Sequence, residues 1–533
     1  MQNLSLKLKK LSSEENTLLG LTGIILLSCL MTAIAQGSAF FYCSHYTKIL
    51  VLALIFFCYG GLLYYLKISG KLSERTAVFM MILLGTLLRC SFVLLSGLYE
   101  RQHDAGAYTG MGTDFVNPGH IGYIEYIYKF HKLPDINPYQ LFGYYHPPLH
   151  HILSFIWLQL NIRIGVCEEL AFENLQILPL LYSCLCMVVT WRILRVMKIS
   201  GRGLLMGLAL IVFHPATIIM AGSVNNDMLT VLFMCLILLF SLEWIRRKDL
   251  KGLIKLALAI GFGMITKLNS AVLAIPLALV FLSHFVSIMR RRSKPLLLQW
   301  IKNYLIFGLI VCPIGLSWIV RNLIRFGEKP GVPVPGVTSS MYAGNYSLWE
   351  RLGIPSFSDW RFSFPFHPIS AKACNNTWVI MFHTALFGEE YPTDLPDILL
   401  VMCQAAFILS VILGIITAIL LLRVLLDART DREDTLFLLS GYLIILVSFA
   451  AFVIKYPYTC SCDFRYVVIC LVYISIALGL GNVYYQGTYD NPGIQKGAAK
   501  GARLHSICMK TINGGLLCLL STITLVYIFW NRY

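Results

Sequence analysis

Polar residues are concentrated between positions 99 and 151 of a chain that is otherwise largely apolar. Asp104 lies just beyond a predicted membrane span, where an acidic side chain is costly and therefore commonly functional. As a general base, it would accept the proton of an acceptor hydroxyl while that oxygen attacks C1 of a sugar. A phosphate leaving group departs without protonation, so one carboxylate suffices where a glycoside hydrolase needs two. The alternative is an aspartate that caps a short surface helix. Arg101 and His103, on its N-terminal side, are candidates for substrate binding.

The end of this polar stretch combines aromatic, histidine and proline residues. Pro147 and the proline that follows it impose a stiff, extended approach to the next helix. Tyr145 and His146, held by this rigid turn, are expected to meet the phosphate or the sugar hydroxyls of a donor, and His150 is a further substrate-binding candidate. Metal ligation by the histidines is a second possibility, although their spacing fits no standard site.

Two further candidates lie where apolar runs begin or end. Asn226 and Asp227 open a predicted span, where they would either cap the helix or place a second acid opposite Asp104. Lys267 ends one apolar run and nearly abuts the next. It is either a snorkelling lysine or a cation that binds a lipid phosphate.

Arg465 is a second candidate cation, at the start of a late apolar run. A guanidinium suits phosphate because its planar fork donates two parallel hydrogen bonds. Asp463 is expected to orient that group, and Tyr466 lies beside it in the sequence. We therefore predict that all three residues contribute to substrate binding.

The composition shows in what environment these groups act. The chain has 533 residues, of which 57% are hydrophobic and 13% charged, and its mean hydropathy is +0.71. Its repeated apolar runs predict an all-α polytopic membrane protein with about 13 transmembrane helices and with juxtamembrane helices on the outer face. The net charge of +16 falls mostly in short loops, which is the positive-inside pattern and argues against a nucleic-acid partner. The predicted spans are roughly 17–36, 46–66, 75–97, 173–195, 203–222, 225–245, 251–267, 269–289, 300–321, 399–423, 435–455, 464–484 and 511–530.

Loop charges predict the orientation of the chain in a plasma membrane, with a cytoplasmic N-terminus and an external C-terminus. The apolar run 150–162 is short for a span, and counting it would invert every later loop. We therefore expect a juxtamembrane helix there. This choice brings Asp104, Asp227, Lys267 and Arg465 to one outer face.

The order of spans and loops divides the chain into three parts, and their assignment as an extension and a catalytic core is what the family resemblance described next implies. Residues 1–74 form a two-span extension, and residues 75–484 form a catalytic core. Two outer loops belong to the core, a catalytic loop at 99–172 and an acceptor-side loop at 322–398. Residues 485–533 comprise a cytoplasmic loop and the last span.

On these residues the chain resembles the GT-C superfamily of polyprenyl-phosphate-sugar glycosyltransferases. It is most similar to family 39, which includes protein O-mannosyltransferases, and it also resembles the lipid A aminoarabinose transferase. The resemblance rests on Asp104 after an early span, the element His146-Pro147-Pro148-Leu149, Asp227 at a span start, Thr266-Lys267 at a span end and Arg465-Tyr466. It implies a GT-C fold, Asp104 as the catalytic base, and Lys267 and Arg465 near the donor phosphate. Members often carry paired acids at the first site, whereas here His103 precedes Asp104 and Ala105 follows it.

The expected activity is that of an inverting glycosyltransferase. It would move a sugar from a polyprenyl-phosphate carrier to a hydroxyl of a lipid, glycan or protein acceptor at the outer face. No cofactor is assigned with certainty from the sequence, and a divalent metal is possible but has no supporting ligand spacing. The main alternative is a transporter or flippase of a lipid-linked sugar, which should show inverted repeats and broken helices at the membrane midplane. A scaffold subunit is a third class, for which the polar stretch would be unnecessary.

Overall fold

The computed structural model describes residues 2–100, 106, 108–110, 112, 115–329, 341–354, 375–389, 397–486, 509 and 512–516. Within these ranges the chain is helical and forms no strand, and only one isolated bridge joins Tyr342 and Tyr458. The helices are α1 Gln2–Gln36, α2 His45–Ile68, α3 Glu74–Leu95, α4 Gly119–Phe130, α5 Leu149–Arg163, α6 Glu168–Glu173, α7 Ile177–Val196, α8 Gly201–Phe213, α9 Pro215–Ile219, α10 Asp227–Arg247, α11 Leu250–Met264, α12 Ala274–Arg290, α13 Lys294–Phe326, α14 Leu348–Leu352, α15 Thr377–Phe387, α16 Asp397–Leu425, α17 Arg432–Lys455 and α18 Cys470–Gln486.

The predicted polytopic, all-α membrane fold is confirmed. In the described part of the chain, nine helical stretches are long and apolar enough to cross a membrane. Shorter apolar helices coincide with the predicted spans at 203–222 and 464–484, and the 15-residue helix α11 coincides with the one at 251–267. The last predicted span, 511–530, lies mostly outside the described residues.

Helix α5 occupies the apolar run 150–162, which the loop charges assigned to a juxtamembrane helix. It has 15 residues, fewer than the described helices that qualify as spans by length and hydropathy. It packs against α4, and its backbone is tied to a distant break because Leu149 N–H donates to the Ile265 carbonyl at 3.2 Å. The start of α5 is therefore fixed against the segment that carries Lys267.

A buried arginine holds the break between α8 and α9, which leads the chain toward Asp227. The Arg89 side chain is fully buried and donates to the carbonyls of Ile211 and Val212 at 2.9 and 2.8 Å. It also donates to the hydroxyls of Ser183 and Thr217, both at 2.8 Å. A cation at a helix C-terminus satisfies carbonyls that lack partners within the helix. This arrangement stabilises the turn that precedes the start of α10.

The predicted acceptor-side loop contains a buried apolar helix, α15. Its residues are almost all buried, and it packs against α9 and the 3-10 turn Phe464–Tyr466. Asn376 caps it by accepting from the backbone N–H groups of Trp378 and Val379. Within the segment that the sequence assigns to an acceptor-side loop, α15 is thus packed against the helical core.

Candidate active site

Three interruptions between helices bring one acid and two cations together. Asp227 is the first residue of α10, and Lys267 follows α11 as the N-cap of the 3-10 turn Leu268–Leu273. Arg465 lies in the 3-10 turn Phe464–Tyr466, just before α18. Lys267 Nζ pairs with Asp227 Oδ1, and Arg465 Nη1 lies 3.6 Å from Asp227 Oδ2. One carboxylate therefore bridges two cations that are distant in sequence.

Neighbouring polar side chains hold this ion cluster in position. Asn226 Nδ2 donates to the Thr266 carbonyl at 2.9 Å, which ties the start of α10 to the break before Lys267. Asp463 Oδ1 accepts from Arg465 N–H at 2.7 Å and so fixes the turn that presents the guanidinium. Arg465 Nη2 also lies 3.8 Å from Oε1 of Glu389, which follows the C-terminal end of α15.

Tyr466 adds an aromatic face to the two cations. Lys267 Nζ and the Arg465 guanidinium carbon each lie 5.2 Å from the centroid of its ring, within the range of cation–π attraction. The ring also packs against Phe452 with centroids 4.9 Å apart. Tyr466 thus joins the charged cluster to an apolar wall.

A cavity of about 320 Å³ opens beside this cluster. One part of its wall is apolar and comes from Met234, Leu268, Val272, Ile445, Phe449 and Phe452. The other part is polar or aromatic and comes from His120, Tyr139, Tyr145, His146, Asp227, Lys267, Asn269, Ser448, Tyr456 and Tyr466. A site of this kind suits a ligand with an apolar tail, an anionic group and a polar head.

Three stacked imidazoles form the polar wall next to the ion cluster. His120 Nδ1 lies 2.9 Å from His151 Nε2, and the His120 ring stacks on that of His146 with centroids 5.0 Å apart. The His151 ring stacks on Tyr123 at 4.0 Å, and both rings are fully buried. The rigid packing leaves His120 and His146 to line the cavity.

Burial keeps these histidines uncharged. Burial, followed by the nearby Lys267 and Arg465, lowers the pKa of His120 to about 3, against the opposing effect of Asp227. The pKa of His146 is lowered well below its ordinary value, first by burial and then by the repulsion of His120. The two histidines that line the cavity beside the cations are therefore neutral at physiological pH.

A buried carboxylate anchors the backbone that follows residue 105. Glu125 accepts from Thr109 N–H and from Asn117 Nδ2, both at 3.1 Å, and pairs with Lys129 at 3.1 Å. Its side chain is only 1% exposed. A buried carboxylate with several donors and a cation is well satisfied, so the described part of this loop is held firmly against α4.

The structure places the sequence candidates at different distances from the cavity. Tyr145, His146, Asp227, Lys267 and Tyr466 line it. Arg465 belongs to the ion cluster, and Asn226 and Asp463 hold the backbone around it, but these three residues do not line the cavity. His150 is fully buried in α5, where its Nε2 lies 3.5 Å from Ser154 Oγ, and it is not part of the cavity wall. Arg101, His103 and Asp104 lie outside the described residues.

The two interpretations of the start of α10 can now be compared. Asn226 is the N-cap but makes no side-chain capping bond, and Asn225 Oδ1 instead accepts from Asp227 N–H at 2.9 Å. The Asp227 side chain is turned to Lys267 and Arg465. The Asn225 side chain therefore bonds the first backbone N–H group of α10, and the Asp227 carboxylate is paired with the two cations.

Sequence reasoning missed His120, Tyr139 and Tyr456 as cavity residues. His120 is the second residue of α4, whose residues 119–127 are all buried, and no spacing in the sequence links it to His151. The two tyrosines lie in turns rich in aromatic residues, where their orientation depends on tertiary packing.

Across the part of the chain that is described, no group of three or more histidine, cysteine or acidic side chains is arranged to hold a metal ion.

Comparisons with known proteins bear on the same region. Residues 146–318 match the family model described as dolichyl-phosphate-mannose-protein mannosyltransferase, which confirms the resemblance to GT-C glycosyltransferases. The matched region contains His146, Asp227 and Lys267. Among curated proteins, no sequence matches the chain significantly.

Several solved structures are similar to the chain. An oligosaccharyltransferase from Archaeoglobus fulgidus, tethered to an acceptor peptide, is 12% identical over 84% of this chain and 55% of its own, with a TM-score of 0.45. The same organism's AglB, in complex with an inhibitory peptide and a dolichol-phosphate, is 12% identical over 84% of this chain and 56% of its own, with a TM-score of 0.44. ArnT from Cupriavidus metallidurans, bound to undecaprenyl phosphate, is 16% identical over 76% of both chains, with a TM-score of 0.34. The chain thus spans little more than half the length of the archaeal enzymes, and at these TM-scores the likenesses carry no argument about activity.

Proposed function

We propose that this GT-C-like chain is an inverting glycosyltransferase that moves a sugar from a polyprenyl-phosphate carrier to an acceptor hydroxyl. The observation that carries the proposal is the cavity in which an apolar wall meets Lys267, Asp227 and two neutral histidines. The family match supports glycosyl transfer as the general activity. The polyprenyl-phosphate carrier and the hydroxyl acceptor are part of what we propose.

The donor would bind with its parts matched to the walls of the cavity. The lipid tail would contact Phe449, Phe452 and the other apolar residues, and the phosphate would meet Lys267. Arg465, behind Asp227, would add positive potential as negative charge builds on the departing phosphate. Such preorganised cations stabilise a transition state because they need no reorientation while the reaction proceeds. Asp227 would keep both cations in place before the donor arrives.

Asp104 is the proposed catalytic base. Its carboxylate would take the proton of the acceptor hydroxyl as that oxygen attacks C1 from the face opposite the phosphate. In the described part of the same polar stretch, Glu125 anchors Thr109 and Asn117. The acceptor would enter beneath the 322–398 loop, on the outer face of the plasma membrane.

The test is an Asp104→Asn variant assayed with a polyprenyl-phosphate sugar and a panel of acceptors. Loss of a general base should lower transfer by about 100- to 10,000-fold and leave binding of undecaprenyl phosphate unchanged. Lys255→Met is a suitable control, because Lys255 is exposed on α11 and is not among the residues that line the cavity. Unchanged transfer by Asp104→Asn would contradict the assignment of Asp104 as the catalytic base. Movement of the lipid-linked sugar across the membrane without transfer would instead favour a transporter.

A further inference from the structure

His120 stands out among the cavity residues because it lines the cavity while one of its two ring nitrogens is already engaged by another side chain. The residue is 2% exposed, and its Nδ1 is engaged by His151 Nε2 at 2.9 Å. Stacking against His146 and the contact with His151 hold the ring plane. With Nδ1 engaged, Nε2 is the ring nitrogen left to contact a ligand in the cavity that His120 lines.

The chemistry of this nitrogen restricts its partner. The histidine rings are packed tightly against one another and next to Lys267 and Arg465, so a further positive charge is disfavoured there. A neutral imidazole nitrogen is a donor in one tautomer and an acceptor in the other. A hydroxyl is both a donor and an acceptor, so it pairs with either tautomer.

We infer that His120 binds a hydroxyl of the sugar carried by the donor, and that His151 positions it for this contact. The inference rests on the proposed function and names the group that the site recognises. The sugar would lie between the phosphate at Lys267 and the His120–His146 wall, near Tyr145. The position of the transferred sugar that faces His120 therefore carries an uncharged hydroxyl group.

Two substitutions separate ligand contact from a structural role. His120→Asn retains a polar atom near the position of Nδ1, facing His151, and removes Nε2. His120→Gln places its amide near the position of Nε2 and gives up the contact with His151. A residue with a merely structural role should tolerate asparagine better, whereas a residue that contacts the sugar should tolerate glutamine better.

The experiment measures dissociation constants of the full-length protein in detergent for three probes. These are undecaprenyl phosphate alone and its mannosyl and glucosyl phosphodiesters. His120→Asn should weaken binding of the better glycosyl lipid about tenfold, the loss expected for one buried hydrogen bond, with less than about twofold change for the sugar-free lipid. His120→Gln should recover most of the loss. His284→Gln is the matched control, because His284 is bonded to Tyr304 in another part of the bundle and does not line the cavity.

The possible outcomes are distinguishable. Equal changes for sugar-free and glycosyl lipids, no change for either, or better binding by His120→Asn than by His120→Gln would overturn the role of His120. Wild-type protein that binds none of the three probes would contradict the proposed function itself, and the inference with it. Thermal melting of each variant shows whether an altered affinity reflects a folded protein.

Discussion

Replacement of Asp227 by asparagine tests the ion cluster directly. The Asp227 side chain is 6% exposed and bridges Lys267 and Arg465, whose side chains are 14% and 4% exposed. Removing the negative charge leaves two close, buried cations without their shared counter-ion. Breaking a buried ion pair from one side typically costs about 3–5 kcal/mol. We therefore expect Asp227→Asn to melt well below the wild-type protein in the absence of ligand.

The same substitution should increase the response to a lipid phosphate. In the wild-type protein the phosphate shares Lys267 with Asp227, whereas in the variant it supplies the missing negative charge. A ligand at about 100 times its dissociation constant stabilises a protein by about 2.7 kcal/mol, and tenfold tighter binding adds about 1.4 kcal/mol. Undecaprenyl phosphate should therefore raise the melting temperature of Asp227→Asn by more than that of the wild type.

The assay is thermal unfolding of the purified protein in detergent at one scan rate, with and without undecaprenyl phosphate. Asp434→Asn is the matched control, because Asp434 is 4% exposed and pairs with Arg246 at 2.8 Å away from the cavity. This control should lose stability but gain no extra response to the lipid. Wild-type stability of Asp227→Asn would refute the account of the cluster. An equal gain from lipid in both variants would refute the phosphate site.

Two further predictions concern acid stability and topology. The pKa values of His120 and His150 are lowered by burial to about 3, so the folded protein keeps both rings neutral while the unfolded chain protonates them below about 6.5. The free energy of unfolding is therefore unaffected by these rings above pH 6.5 and decreases as the pH falls toward 3, by about 2 kcal/mol for each ring at pH 5. A melting temperature that does not fall between pH 7 and pH 5 would contradict this prediction. For topology, Ser200→Cys and Asn345→Cys are placed separately in a background without exposed native cysteines. An impermeant thiol reagent applied to intact cells should label the cysteine at 345 and not the one at 200, and the opposite pattern would reject the proposed orientation.

The membrane character and helical class of the protein follow from the sequence alone. Apolar runs of span length have few stable alternatives to helices in a bilayer, because backbone polar groups must be satisfied without water. The same pattern located the residues of the ion cluster, since Asp227, Lys267 and Arg465 stand where apolar runs begin or end. The assignment of Asp104 as the base stays a prediction from sequence and resemblance.

Only the tertiary structure decided which of these residues meet and in what role. Asp227 and Lys267 are 40 positions apart, and their pairing depends on the packing of α10 against α11. His120 and His151 are 31 positions apart, and their contact depends on the packing of α4 against α5. Local patterns report burial and helix ends, but they contain no information on which buried faces meet. The polar stretch therefore predicted a candidate site, and long-range packing showed that two buried histidines, His120 and His146, line its cavity.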